Sequence, residues 1–203
     1  MHWFQYSQNA WKLERKALEL ITRTEAFQLI RNTLDADNLI YHSLATESIM
    51  RSLAERKGKD PELWGISGLL HDLDFEETKD HPEKHGLITA MLLEGRLPEE
   101  ALQAIKSHNA EHNGTSRECD FDHLLAAAES VTGLISATAL IYPERKLAPV
   151  KPRSVIKRMT KSGFARAVNR DAIRECTLAG FEVEEFIHLA LDSMKSIAEN
   201  IGL

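Results

Sequence analysis

Apolar residues recur along this chain at intervals of three and four positions, the spacing that places them on one face of an α-helix. Helix starts are marked as well. Thr22 and Glu25 have the spacing of a capping box, and Asp60 before Pro61 is an N-cap followed by proline at the first helical position. No run of alternating β-branched residues is long enough for a strand, and no heptad pattern persists. We therefore predict an all-α fold, built as a helical bundle.

Caps and helix breakers also predict where the other helices lie. Gly58 ends one of them, and Pro143 ends the longest. The predicted helices run from Asp35 or Asp37 to Lys57, from Pro61, from Pro82, from Pro98, from Phe121 to Ile141, from Ser154 to Gly163, from Asn169 or Arg170, and from Val183 to Ile201. Residues 1–21 have the pattern of an additional helix, which can pack on the body of the protein or on a partner chain. The sequence leaves open whether the chain forms a homo-oligomer.

The segment from Leu124 to Tyr142 is nearly long enough and apolar enough to cross a bilayer. It contains Glu129 and several hydroxyl groups, and its N-terminal side lacks basic flanking residues, so we predict a core helix and no membrane partner. Cys119 and Cys176 form no CxxC pair, and the first residues contain no continuous apolar stretch of a secretory signal. We expect a reducing, cytoplasmic location.

Charge is distributed unevenly along the chain. Residues 144–173 carry nine basic side chains and two acidic ones, a local net charge of +7 in a chain whose total is −6. A basic segment on an otherwise acidic protein favours a small anionic ligand over a long nucleic acid, so we expect no nucleic-acid partner. The alternative is a solvated helix face, which is the more common reason for such a segment.

Ionisable residues interrupt the apolar faces of five successive segments. These residues are His42, His71, His85, His108 and Glu129. A single inward histidine is more often a hydrogen-bonded core residue than a metal ligand, but five such residues in succession indicate one shared site. Burying an unpaired carboxylate costs several kcal/mol. The helix that contains Glu129 has no lysine or arginine to neutralise it, so we expect a cation as its partner.

His71 and Asp72 are adjacent, which separates their side chains by about 100° around a helix. We predict that both can bind one ion only near a helix end. A donor set of imidazoles and carboxylates without thiolates suits one or two divalent transition metal ions, such as Fe, Mn, Zn or Co.

His42, the adjacent His71 and Asp72, and the later acid Glu129 resemble the HD superfamily of metal-dependent phosphohydrolases. In that superfamily a His, an HD doublet and an Asp lie on successive helices of an all-α bundle. The resemblance is closer still to a small bacterial and archaeal family of HD-domain predicted hydrolases. The stretches that carry it are NLIYHSLATESIMRSLA, GLLHDLDFE, HPEKHG, AIKSHN, ESVTGLISATALIYPERKL and SVIKRMTKSGFARAVNR.

These stretches cover residues 25–203, nearly the whole chain. The resemblance therefore divides the chain into an N-terminal helical extension, residues 1–21, and a single HD-type domain, residues 22–203. Within that domain we expect a core of residues 36–142 and a C-terminal basic and helical part, residues 143–203.

The resemblance implies that His42, His71 and Asp72 bind a first metal ion. Two-metal members of the superfamily have two additional histidines between the doublet and the final acid, and His85 and His108 occupy those places. Asp72 would then bridge two ions, with a metal-bound hydroxide as the nucleophile.

Glu129 departs from the pattern of the superfamily, which has Asp at the corresponding place. Its side chain is one methylene longer, so the ion must shift or the backbone must retreat. The carboxylate is kept, and we carry the role of metal ligand over to Glu129.

The activity that the resemblance implies is hydrolysis of a phosphoester in a small phosphorylated metabolite or nucleotide. Asp74 and Glu76, just after the doublet, are expected to orient metal ligands or a water molecule. The basic segment supplies the residues that we expect to bind substrate phosphate, which are Arg145, Lys146, Lys157 and Lys161.

Three alternatives stay open. A di-iron HD-type oxygenase uses the same kinds of ligands for oxidation, and obligatory iron with oxygen consumption would favour it. A non-catalytic HD regulatory module would have lost the doublet, which this chain retains. A single-metal phosphohydrolase would result if His85 and His108 only form hydrogen bonds in the pocket.

Overall fold

The computed structural model of the protein describes residues 20–203. This range contains α-helices and three short 3-10 helices (Pro82–Lys84, Glu175–Thr177 and Ala198–Ile201) but no strand, so the predicted all-α fold is confirmed. The α-helices are α1 (Arg23–Thr33), α2 (Asp37–Lys57), α3 (Pro61–Leu70), α4 (Phe75–Thr78), α5 (Leu87–Leu92), α6 (Glu99–Ser107), α7 (Ala110–Asn113), α8 (Asp120–Leu140), α9 (Pro152–Met159), α10 (Arg170–Arg174) and α11 (Val183–Ser196). The predicted N-terminal helix, residues 1–21, lies outside the described residues except for its last two positions.

Two helix starts have the caps that the sequence predicts. At α1 the Thr22 hydroxyl accepts a hydrogen bond from the Glu25 amide, and the Glu25 carboxylate accepts one from the Thr22 amide. At α3 the Asp60 carboxylate accepts a hydrogen bond from the Glu62 amide. Such caps satisfy amides that have no partner inside the helix, which fixes where each helix begins.

α8 is the central helix of the core, and α2, α6, α10 and α11 pack against it. By length and composition it qualifies as a membrane-spanning candidate, but 67% of its most apolar 18-residue window is buried inside the protein. Leu124, Leu125, Leu134 and Ile135 are among its fully buried residues. α8 therefore packs as the core helix that the sequence predicts.

α2 and α3 lie close together because Gly68 has no side chain to hold them apart. A Cβ atom at this position would lie 3.0 Å from the Met50 side chain and 3.0 Å from the Thr46 backbone oxygen. Contacts this short are not accommodated in a close-packed interior without movement. The close approach brings His42 on α2 near His71 at the end of α3.

The helix predicted from Pro82 is wrong in its first turn. Only a 3-10 turn forms there, His85 follows in an extended conformation, and Gly86 adopts a left-handed φ of 81° before α5 begins. A Cβ atom on Gly86 would lie 2.8 Å from the Ile105 backbone oxygen, so glycine lets this segment pack directly against α6. The result is that His85 projects from a loop rather than from a helix face.

Two other helices also have boundaries that differ from the prediction. The basic helix α9 begins at Pro152, which takes the first helical position, and it ends at Met159 rather than at Gly163. The last α-helix ends at Ser196, and Ala198–Ile201 continue it only as a 3-10 turn.

Candidate metal centre

Five side chains converge between α2, α3 and α6, and each arrives from a different local structure. His42 lies on α2. His71 is the C-terminal cap residue of α3 and Asp72 follows it in a turn, so these neighbours reach one site because the helix ends there. His108 is the C-terminal cap residue of α6, and His85 lies in the extended segment before α5.

A hydrogen bond holds the Nδ1 atom of every histidine in this cluster. The partners are Thr132 Oγ1 for His42 at 2.8 Å, the Gly68 carbonyl for His71 at 2.8 Å, Asp74 Oδ1 for His85 at 2.7 Å and the Ile105 carbonyl for His108 at 2.6 Å. Carbonyl and carboxylate oxygens only accept, and the Thr132 hydroxyl already donates to the Glu129 carbonyl at 2.6 Å. Nδ1 therefore carries a proton on all four rings, and Nε2 is the atom turned inward on each.

The inward Nε2 atoms meet in pairs around one carboxylate. Nε2 of His42 lies 3.1 Å from Nε2 of His71, and Nε2 of His85 lies 3.1 Å from Nε2 of His108. The Asp72 carboxylate lies between 3.1 and 3.5 Å from all four of these atoms. Ligand atoms about 2.1 Å from a metal ion and at right angles to each other are about 3 Å apart, so these are the separations of a coordination shell.

Asp72 belongs to two groups of candidate ligands. One comprises His42, His71 and Asp72, the other comprises Asp72, His85 and His108, and within each group the ligand atoms lie within 4.8 Å of one another. Two unprotonated nitrogens facing each other at 3.1 Å repel, and a cation between them removes that cost. The donor set therefore fits one or two divalent metal ions with Asp72 shared between them.

The histidines of the first group are held neutral. Burial lowers the pKa of His71 to about 3, against the opposing attraction of Asp72. Burial also lowers the pKa of His42. Both rings therefore present a free Nε2 lone pair at neutral pH, which is the form that binds a metal ion.

His85 in the second group is in the opposite state. Burial alone would lower the pKa of His85, but hydrogen bonds to Asp72 and Asp74 outweigh it and raise that pKa to about 10. Burial likewise opposes ionisation of Asp72, yet its histidine neighbours hold the pKa of Asp72 well below the usual value. A proton on His85 Nε2 would therefore compete with a metal ion for this nitrogen.

Asp74 holds His85 and the loop that carries it. Besides His85, its carboxylate accepts hydrogen bonds from the amides of Gly86 and Thr89, both at 2.9 Å. Asp74 thus contacts a candidate ligand, whereas Glu76 accepts a hydrogen bond from the Asp35 amide at 3.2 Å. The ligand-orienting roles of Asp74 and Glu76 stay predictions.

Glu129 lines the same pocket but is in neither group of candidate ligands. Burial, with the charge of Asp72, raises the pKa of Glu129 to about 8, and the Ser130 hydroxyl donates to its Oε1 at 2.5 Å against that shift. Asp122, the preceding acid on α8, accepts from the amides of Glu118 and Cys119 and so acts as a helix cap. The role of Glu129 as a metal ligand stays a prediction.

The pocket above these residues has a volume of about 460 Å³. Asn38, Asn109, Glu111 and Asn169 line it, and none of these was predicted from the sequence. They come from helix ends and loops, where no periodic pattern marks a residue as facing inward. His112, which also lines the pocket, follows Glu111 directly.

Arg117 is a further residue that the sequence did not indicate. Its guanidinium donates to Glu111 at 2.7 and 3.0 Å, to Glu175 at 2.6 Å and to the His108 carbonyl at 2.7 Å. Only 6% of its side chain is exposed. Arg117 thus fixes the backbone of a candidate ligand, His108, and the acid Glu111 at the pocket wall.

The four basic residues predicted to bind phosphate are not among the residues that line this pocket. Lys157 and Lys161 line a different pocket, together with Arg158. Lys146 donates to the Gly202 carbonyl at 3.3 Å, and Arg145 is exposed with a φ of 49°. Their role in substrate binding stays a prediction.

The comparisons with known proteins agree with this arrangement. A family model described as HD domain matches residues 39–150, more than half of the chain. The matched range contains all five converging residues and Glu129. No curated protein and no solved structure matches the chain.

Proposed function

The chain belongs to the HD-domain family, the HD superfamily of metal-dependent phosphohydrolases, and from this premise we propose that it hydrolyses a phosphoester of a small phosphorylated molecule with water activated by bound metal. The observation that supports this most is the convergence of four inward Nε2 atoms on the Asp72 carboxylate. Divalent ions held by these residues would lower the pKa of a bound water and polarise the phosphoryl oxygens.

In this reaction the protein's own residues position the metal ligands and shield the site from bulk water. Asp72 presents Oδ2 at 3.4 Å from His42 Nε2 and Oδ1 at 3.1 Å from His85 Nε2, so one carboxylate serves both histidine pairs. The carbonyls and carboxylate behind the rings fix their orientation, which reduces the cost of ordering ligands during binding. Asp72 is 6% exposed and His71 is fully buried, so the site is largely shielded from bulk water.

The experiment that tests the proposal combines metal analysis with activity. Protein purified without chelators should contain transition metal and release phosphate from at least one member of a panel of phosphomonoesters. His71→Ala should lose metal and activity together, because it removes a fully buried candidate ligand of the first ion. Ser162→Ala, an exposed position outside the pocket, is the matched control. Full metal occupancy in His71→Ala, or metal-loaded protein inert on every ester, would refute the proposal.

One observation favours the di-iron oxygenase as a second candidate. Among the residues that line the metal pocket there is no lysine or arginine to neutralise a phosphate, and Asn38 adds an uncharged amide that suits a hydroxyl group of the substrate. Protein reconstituted with Fe, compared with protein reconstituted with Mn or Zn, separates the two candidates. Oxygen consumption with Fe alone would identify an oxygenase, and phosphate release with several metals would identify a phosphohydrolase.

A further inference from the structure

A second cavity opens beside the metal pocket, between α2, α8 and the C-terminus. Its volume is about 380 Å³, within the range of small-molecule binding sites. Tyr41 from α2, Leu140 from α8 and the C-terminal residues Ile201 and Leu203 form its walls. We call this cavity the apolar groove.

The apolar groove adjoins the metal pocket. His42 and Asn38 line both cavities, so the groove begins at a candidate metal ligand. Along α8 the groove wall passes Thr132, Ser136 and Leu140, four residues apart and therefore on one helix face. With a rise of 1.5 Å per residue, this face extends the site by roughly 12 Å from Thr132 to Leu140.

The walls of the groove differ chemically from those of the metal pocket. No charged side chain is among the residues that line it, and the α8 wall changes from the small Ser136 to the large Leu140 with distance from the metal centre. Tyr41 is 37% exposed and Leu140 is 53% exposed, so apolar surface is left open to water here. Apolar surface kept open beside a reactive centre is typical of a binding site.

We propose that the apolar groove binds the organic part of the substrate, and that the substrate is a phosphomonoester of an apolar or aromatic alcohol. This inference rests on the proposed function, because it places the phosphoryl group at the metal centre and the alcohol beyond His42. Burial of the alcohol against Tyr41 and Leu140 supplies binding energy that a short polar alcohol does not gain.

The test uses the full chain loaded with metal and two pairs of probes. 3-Phenylpropyl phosphate and ethyl phosphate are both esters of primary alcohols, so they differ in apolar surface and little in leaving-group chemistry. The corresponding phosphonates cannot be hydrolysed and report binding alone by calorimetry. We expect kcat/KM and phosphonate affinity to favour the phenylpropyl compound by about tenfold or more.

Two variants assign that preference to the groove. Ser136→Phe should fill the groove and reduce the preference to about twofold or less, because the added ring occupies the space of the alcohol. Leu140→Ala, at an exposed position where folding is not at risk, should reduce it about threefold by removing part of the wall. Ser162→Phe makes the same change on an exposed loop outside both cavities and should leave the preference intact.

The outcomes separate this inference from the proposed function. Equal hydrolysis of both esters, or a preference that neither groove variant changes, overturns the groove assignment and leaves the phosphohydrolase standing. Failure to hydrolyse any ester, with the phosphonate preference present and sensitive to Ser136→Phe, supports the groove and refutes the hydrolysis. A dimer that Ser136→Phe dissociates would assign the groove to a second copy of the chain and overturn the proposal.

Discussion

The two halves of the candidate metal centre have the same spacing between nitrogen atoms but different protonation states. In the half formed by His42 and His71, and in the half formed by His85 and His108, the two Nε2 atoms are 3.1 Å apart. The pKa of His71 is lowered to about 3 by burial, whereas that of His85 is raised to about 10 despite burial. The two Nε2–Nε2 distances are equal, but the protonation states differ. The His42 and His71 half is neutral and can bind a cation, whereas the other half holds a proton on His85.

The difference comes from what lies behind each ring. The Nδ1 atoms of His42 and His71 bond to a hydroxyl and a carbonyl, which are uncharged. Nδ1 of His85 bonds to the Asp74 carboxylate at 2.7 Å, so His85 lies between two acids. A carboxylate behind a histidine makes that ring a stronger metal ligand and also a stronger base. We therefore expect the first half to bind its ion with less competition from protons than the second.

The largest effect should come from removing the one residue that both halves share. Asp72→Asn keeps the size of the side chain but removes its charge, and we expect loss of metal from both halves with a fall in activity of at least ~10³-fold. Metal analysis by mass spectrometry with parallel phosphate-release assays measures both effects. Retention of one full equivalent of metal in this variant would show that the halves are independent, and would contradict the view that both halves share Asp72.

The second-largest effect should be a difference in how the affinities for the two ions depend on pH. Because the pKa of His85 is about 10, binding at the second half must release its proton, and affinity there should fall about tenfold per unit from pH 9 to pH 7. Affinity at the first half should be flat above about pH 8, because His42 and His71 are already neutral. Titration of the apo protein with Mn²⁺ in chelator-buffered solutions at several pH values measures both slopes. Identical slopes for the two equivalents would contradict the assignment of charge.

The residues behind the rings provide a sharper version of the same test. Asp74→Asn should weaken the second ion about 10–100-fold and leave the first unchanged, because it removes the charge behind His85. Thr132→Val, behind His42, is the matched variant and should weaken only the first ion, by less, because its partner was uncharged. Circular dichroism of both variants controls for folding, since Asp74 also accepts two backbone amides. Equal losses at both ions in Asp74→Asn would contradict the division into halves.

How much of this site the sequence predicts depends on the element that carries each residue. His42, His71 and His108 lie on or at the end of regular helices, where the periodicity of apolar residues shows which side faces inward. His85 lies in an extended segment whose shape depends on the left-handed Gly86 and its contact with Ile105, and no pattern of hydrophobicity encodes such a tertiary contact. The direction of the Asp74 side chain, and hence the charge on His85, depends on that loop.

The basic segment shows the limit of reasoning from local charge. A net charge of +7 over residues 144–173 predicts an anionic ligand, but charge along a chain carries no information about which way a helix turns its side chains. In the structure Lys157 and Lys161 line a pocket that shares no residue with the metal pocket. Packing of α9 against α8 and α11 places them there.

Substitution of Glu129 should have the smallest effect, and it tests which half of the candidate metal centre Glu129 belongs to. It precedes Thr132 by three residues on α8, and the Thr132 hydroxyl links its backbone carbonyl to His42, so we assign Glu129 to the first half. Its pKa of about 8 means that an ion binding there below pH 8 displaces a proton, which gives the first half a slope confined to that range. Glu129→Gln should remove this slope and weaken the first ion several-fold at pH 8.5, because an amide oxygen is a poorer ligand of similar size. Glu129→Asp should retain the metal.

Unchanged affinity and an unchanged slope in Glu129→Gln would show that Glu129 only accepts the hydrogen bond from Ser130, and the first half would then consist of His42, His71 and Asp72 alone.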